Sequence, residues 1–205
     1  MPNFTDITGL ASMATATAAA LLLLPGILRL SKSQLAILMG AVFVLALVPF
    51  GGIPLAAYVR GVTGDLSITT MVLLGCALLS PWCNCSMTDA RSRIALYIFV
   101  ALAALALYPM ALGAGLFDPY HLGYGDALFV AALLLLALAS WFWKFQLIAL
   151  CIAFATLAWA IGWYESDNLW DYLLDPFVAI YALASIMMRA ATSLLQRSKS
   201  RSLPE

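Results

Sequence analysis

The only histidine in the chain, His121, follows Asp118 by three residues in "FDPYHLGYGD". An imidazole with an ordinary pKa of about 6.5 can take up and return a proton near neutrality, and a nearby carboxylate can orient it or hold a reacting hydroxyl. Asp118, Glu165 and Asp167 are the carboxylates placed to work with His121 as an acid/base pair. Arg60 offers a planar fork that suits a phosphate or carboxylate, and Asp171 joins it as a binding group. Asp167 and Asp171 stand four apart in "WYESDNLWDYLLDP", which places them on one face if that stretch is a short interfacial helix.

Each of these residues also has a structural reading. Arg60 can balance a nearby aspartate and anchor the interface. His121 can be a headgroup-level loop residue beside Tyr120 and Tyr124, and Trp163, Tyr164, Trp170 and Tyr172 read first as an aromatic belt. Two carboxylates are too few for calcium, and Cys83 with Cys85 lacks a neighbouring histidine for zinc, so no metal site is expected. Juxtamembrane cysteines of that kind are instead candidates for acylation. The chain has no P-loop, Rossmann glycine pattern, HExxH or GxSxG, so no cofactor and no nucleotide is expected.

The elements that must position these residues follow from composition. Hydrophobic residues make up 64% and charged residues 10% of 205 residues, with a mean hydropathy of +1.00. Ten acids and ten bases cannot cover a soluble domain of that size, so lipid must cover the rest. A net charge of zero and the lack of a basic aromatic platform argue against nucleic acid as a partner. Unbroken runs such as "ALFVAALLLLALAS" do not alternate as barrel strands do, and a spanning helix takes about 20 apolar residues.

Seven runs qualify: 8–28, 34–53, 66–82, 94–116, 127–143, 145–163 and 177–195. The expected fold is therefore an all-α, polytopic transmembrane helix bundle of about seven spans, or six if 145–163 or 34–53 is re-entrant. Residues 1–195 form one domain in this reading, and 196–205 a mobile cytoplasmic tail. The acidic start "MPNFTD", with its first bases after the run, predicts that the first segment stays in the mature protein. Placing the amino terminus outside puts nine of the ten bases in cytoplasmic loops or the carboxyl-terminal tail and leaves Arg60 alone outside. The carboxyl terminus is then inside. Asp6, Asp65, Asp126 and Asp175 each fall at the outer start of a helix, where a carboxylate accepts bonds from orphan N–H groups and meets the positive helix end. Ala14 and Ala18, four apart, predict close helix packing.

No ionisable group falls at mid-span, which argues against a proton-driven pump. The expected function is an integral membrane protein with an acidic extracytoplasmic face: an enzyme or enzyme component acting on a lipid-linked or headgroup substrate of the cell envelope. The alternative is a noncatalytic accessory subunit of an envelope-assembly or transport complex, and a permease ranks third. Membrane lipid and other membrane subunits are the expected partners, and short loops with a strong basic bias suit a bacterial cytoplasmic membrane.

Overall fold

Helix is the expected state for runs dominated by Ala and Leu, because these side chains lose little freedom there and because lipid leaves no other partner for the backbone. The computed structural model describes residues 4–83 and 89–201 and is nearly all-α. Its helices are α1 (Phe4–Ala20), α2 (Lys32–Leu47), α3 (Leu55–Thr63), α4 (Ile68–Leu79), α5 (Ala90–Pro109), α6 (Ala127–Phe142), α7 (Gln146–Ala160), α8 (Leu169–Leu173) and α9 (Pro176–Arg201). Between α2 and α3 the chain makes a tight antiparallel hairpin, pairing Pro49–Phe50 with Ile53–Pro54.

Each of the seven apolar runs overlaps one helix, α1, α2, α4, α5, α6, α7 or α9, but the run 8–28 extends past the end of α1 and the run 34–53 overruns α2 into the hairpin. Three stretches are long and apolar enough to cross a bilayer, Phe4–Leu23, Ala90–Ala114 and Pro176–Gln196. The apolar helices α2, α4, α6 and α7 are shorter. Their outer faces are nonetheless strongly apolar: on α6, Leu128, Leu135, Leu138 and Phe142 all stand exposed. Such a continuous uncovered surface suits hydrocarbon and not water. Helix α9 continues to Arg201. Residues 84–88, which include Cys85, and residues 202–205 lie outside the described residues.

Local chemistry sets several of the helix ends. Ser31 and Gln34 form a reciprocal capping box at the start of α2. The long α5 ends at Pro109, and a wide turn over Met110–Ala114 follows it. Buried apolar side chains among the described residues form two clusters. The smaller joins α1 to α2 and α3 through Met13, Ala14, Ala46 and Ala56. The larger runs through α4 to α9, with Leu96, Val100, Leu147, Ile152 and Tyr172 at its centre. Ala14 and Ala18 are buried as their spacing predicts. Since lipid tails are as apolar as leucine, what such small residues contribute is close van der Waals approach of the backbones.

The helix ends sort by charge. At one end, the starts of α4 and α9 meet where Asp175 accepts from Ser67, and the Thr8 hydroxyl of α1 donates to the carbonyl of Trp163 after α7. At the starts of α5 and α7, the Leu147 amide donates to Ser92 Oγ at 3.2 Å and Arg91 lies 5.0 Å from the centre of the Phe145 ring. Lys144 turns the chain between α6 and α7 with a left-handed φ of 62°.

Candidate functional site

The four aspartates expected to cap helices take four different roles. Asp126 accepts from the Phe129 amide at 2.8 Å and is the cap of α6. Asp175 caps α9 through Val178, at 2.8 Å, and does more. Its other oxygen accepts from the Ser67 amide at 2.8 Å, the Ser67 hydroxyl at 2.7 Å and the Thr70 hydroxyl at 2.5 Å, so one buried carboxylate joins the starts of α9 and α4. Asp65 is not a cap, because Ser67, two residues later, accepts from Thr70 and starts α4. Asp6 lies inside the first turn of α1.

Asp6 and Asp65 both turn to Arg60, which projects from the last turn of α3. Its guanidinium meets Asp65 with two parallel bonds, Nε to Oδ1 at 2.6 Å and Nη2 to Oδ2 at 2.9 Å. Nη1 reaches Asp6 at 3.3 Å, and Nη2 reaches Glu165 at 3.4 Å. The Asp65 hydrogen bond raises the Arg60 pKa further above its already high value, with burial opposing and the charges of Asp65 and Glu165 assisting. Gly9 makes room for the pair: a Cβ there would lie 2.5 Å from Arg60 Nε and 2.7 Å from Asp65 Oδ1. The group that sequence alone offers as an anion grip is thus already engaged by three carboxylates.

A second cluster forms where the segment after α5 meets the segment after α7. The Tyr120 hydroxyl donates to both oxygens of Asp171, at 3.1 and 3.0 Å, and the Ser166 hydroxyl donates to Oδ2. Burial, and after it the Asp171 charge, holds the Tyr120 hydroxyl well above the ordinary tyrosine range, so it serves as a donor. Asn168 ties the segments together: its amide donates to the Tyr120 carbonyl at 2.9 Å while its oxygen caps α8 through Trp170. Gly123 permits this approach, since a Cβ there would fall 1.8 Å from Asn168 Oδ1. Tyr172 is fully buried, with its hydroxyl donating to the carbonyls of Tyr164 and Ser166 and accepting from the Tyr164 amide. Burial pushes the Tyr164 hydroxyl up to about 12, and it pairs with Ser12 at 3.0 Å.

Two expectations are corrected here. Tyr164 and Tyr172 are buried and not belt residues: the Tyr172 hydroxyl closes the turn before α8 from the inside, and the Tyr164 hydroxyl bonds to Ser12 of α1. Nor do Asp167 and Asp171 share a helical face: Asn168 caps α8, so Asp167 stays outside the helix, and its carbonyl accepts from Trp159 Nε1 at 2.8 Å.

Between α5 and α9 lies a cavity of about 950 Å3, within the size of cavities that hold small-molecule ligands. One wall is Ala104, Leu105 and Tyr108 of α5, continued by Leu112 beyond it, and the other is Ala179, Ile180 and Leu183 of α9. Leu105, Leu112 and Ile180 are exposed, so the apolar part opens sideways onto the outer surface of the helices. Its closed end is polar and carries Asp65, Tyr120, Glu165, Ser166, Asp171 and Asp175. The arrangement is an apolar groove that ends in carboxylates and hydroxyls.

Of the residues singled out in the sequence, Glu165 and Asp171 line this cavity, and Arg60 stands behind it, bonded to Asp65 and Glu165. His121, Asp118 and Asp167 are exposed and do not line it. Asp118 caps the short turn at Pro119–Gly123 through the Tyr120 amide. Sequence reasoning missed Tyr120 and Ser166 as parts of the site. Tyr120 sits next to the histidine that drew attention, and serine carries no signal of its own in a polar loop.

Comparison with protein-family models, curated proteins and solved structures gives no match. The site itself is the ground for any reading of function.

Proposed function

We propose that this chain is a multi-pass membrane protein that takes an amphiphile into the groove between α5 and α9 and holds its polar end at Asp171, Tyr120, Ser166 and Glu165. In this reading all seven apolar helices cross a bacterial cytoplasmic membrane, with the acidic end outside and the carboxyl terminus inside. The protein then acts as a membrane-embedded enzyme or enzyme component for a lipid-linked or headgroup substrate of the envelope. The observation that carries it is the continuity of the cavity, apolar and open to the lipid-facing surface along the helices, polar where three loops converge. An amphiphile can enter sideways from the bilayer, leave its chain among Leu105, Leu112 and Ile180, and exchange water for the hydrogen bonds of the closed end.

The chemistry falls to Asp171. Its oxygens accept from neutral hydroxyls, so the carboxylate is oriented and can take a further donor from a headgroup hydroxyl or amine. His121, which does not line the cavity, has no part in holding the ligand. Photolabelling tests the reading. A membrane-partitioning amphiphile with a photoreactive group near its head should label peptides around Tyr108, Tyr120 and Asp171 in the reconstituted protein. Ile180→Trp, which fills the groove, should suppress that labelling, and His121→Ala should leave it unchanged. Uniform labelling of every lipid-facing helix, insensitive to Ile180→Trp, would sink the reading.

A further inference from the structure

The amphiphile reading leaves open what kind of polar head the closed end selects, and charge decides it. Five carboxylates, Asp6, Asp65, Glu165, Asp171 and Asp175, gather at this end of the bundle against one guanidinium. Four of the five line the cavity and Arg60 does not. Its forked face is turned to Asp65, and its remaining contacts go to Asp6 and Glu165, so an incoming phosphate would have to displace carboxylates already in place. Among the described residues neither Asp171 nor Asp175 has a cationic partner. Asp175 accepts four bonds, from two backbone amides and two hydroxyls, whereas Asp171 accepts only from the hydroxyls of Tyr120 and Ser166 and keeps lone-pair capacity on Oδ1.

A second feature points the same way without using these charges. Tyr120, Tyr164 and Trp170 line the cavity beside these acids, and Tyr108 lines its α5 wall. Aromatic side chains around a carboxylate are the usual surroundings of a bound amine or quaternary ammonium, since the ring faces carry negative potential.

Building on the groove reading above, we infer that the occupant is an amphiphile with a positively charged head, a primary amine or ammonium group, seated against Asp171 and surrounded by these rings. An anionic head is disfavoured twice, by repulsion from the carboxylates and by the prior engagement of Arg60.

The test compares three ligands with one chain length: hexadecylamine, hexadecanol and hexadecyl phosphate. Each is titrated against the full-length protein in a neutral maltoside detergent, with binding read by native mass spectrometry. The amine should bind about tenfold or more tighter than the phosphate, with the alcohol between them. Asp171→Asn, which keeps an oxygen for Tyr120 and Ser166, should remove most of the amine's advantage over the alcohol. Glu165→Gln, on a side chain 64% exposed, provides a second variant that does not threaten folding and should lower the preference less. If the phosphate binds as well as the amine, or if both variants retain the full preference, the charge inference is overturned and the groove reading stands. If no chain binds, or Ile180→Trp leaves all three affinities unchanged, the groove reading falls and takes the inference with it. A purified dimer in which cysteines placed at Leu105 and Ile180 cross-link between copies would likewise overturn both, by showing the groove to be filled by protein.

Discussion

Two glycines mark places where an added methyl group would displace a neighbouring side chain. Gly9 lies under the Arg60–Asp65 pair, and an alanine there would force the guanidinium off its carboxylate. Charge-assisted hydrogen bonds in such partly buried settings are worth about 1.5–3 kcal/mol each, so Gly9→Ala should lower stability by about 2 kcal/mol. A fall in melting temperature in detergent checks this, and an unchanged melting curve would show that the pair is not strained by the methyl. At Gly123 the obstruction is Asn168, whose side chain caps α8 and holds the Tyr120 segment. Gly123→Ala and Asn168→Ala should therefore produce the same loss of groove labelling, each alone, and combining them should add little. Neither glycine could be singled out from sequence, because what they make room for arrives from residues far along the chain. The acids themselves were legible: Glu165 and Asp171 stood out as unexplained polar residues near the ends of apolar runs, and both line the cavity. His121 stood out more and does not line that cavity, since being the only residue of its type says nothing about which loops meet.

At the level of elements, two aspartates that look alike in sequence predict opposite responses to the same substitution. Asp126 accepts one bond, from Phe129, so Asp126→Ala should cost about 0.5–2 kcal/mol and Asp126→Asn should restore it. Asp175 has every donor it meets aimed at an oxygen, three of them at Oδ2. An amide there must point its NH2 group at a donor, so Asp175→Asn should fail to rescue and should cost about 1–3 kcal/mol. Thermal unfolding of Asp126→Ala, Asp126→Asn, Asp175→Ala and Asp175→Asn separates the cases, and equal behaviour of the two asparagines would refute the distinction. The tight connection from α6 to α7 gives another check. Lys144 holds a left-handed backbone that glycine adopts freely, so Lys144→Gly should be neutral or stabilising by up to about 1 kcal/mol, while Lys144→Val should destabilise. Helix positions were readable because the apolar runs are long and uninterrupted. The start of α4 was not: Asp65 and Ser67 are both good caps, and only the position of Arg60 shows that Asp65 is otherwise engaged.

Across the molecule, charge sorting makes the orientation testable. Arg60, Asp65, Glu165 and Asp175 share one end through direct contacts, and Arg91 lies with Phe145 at the starts of α5 and α7. If the proposed orientation holds, reporter fusions after Glu165 should be active only on the external side and fusions after Lys144 only on the cytoplasmic side. The reverse pattern would invert the whole assignment. Convergence of the three loops is what sequence could not supply, since it depends on how α5, α7 and α9 pack against one another.

The carboxylate shared by α4 and α9 also has a bearing on synthesis. Ser67 leaves the ribosome 108 residues before its acceptor at Asp175, so, if the proposed arrangement of spans holds, α4 enters the bilayer before the carboxylate that joins it to α9 has been made. Chains cut short before Asp175 would then lack the junction between α4 and α9 altogether.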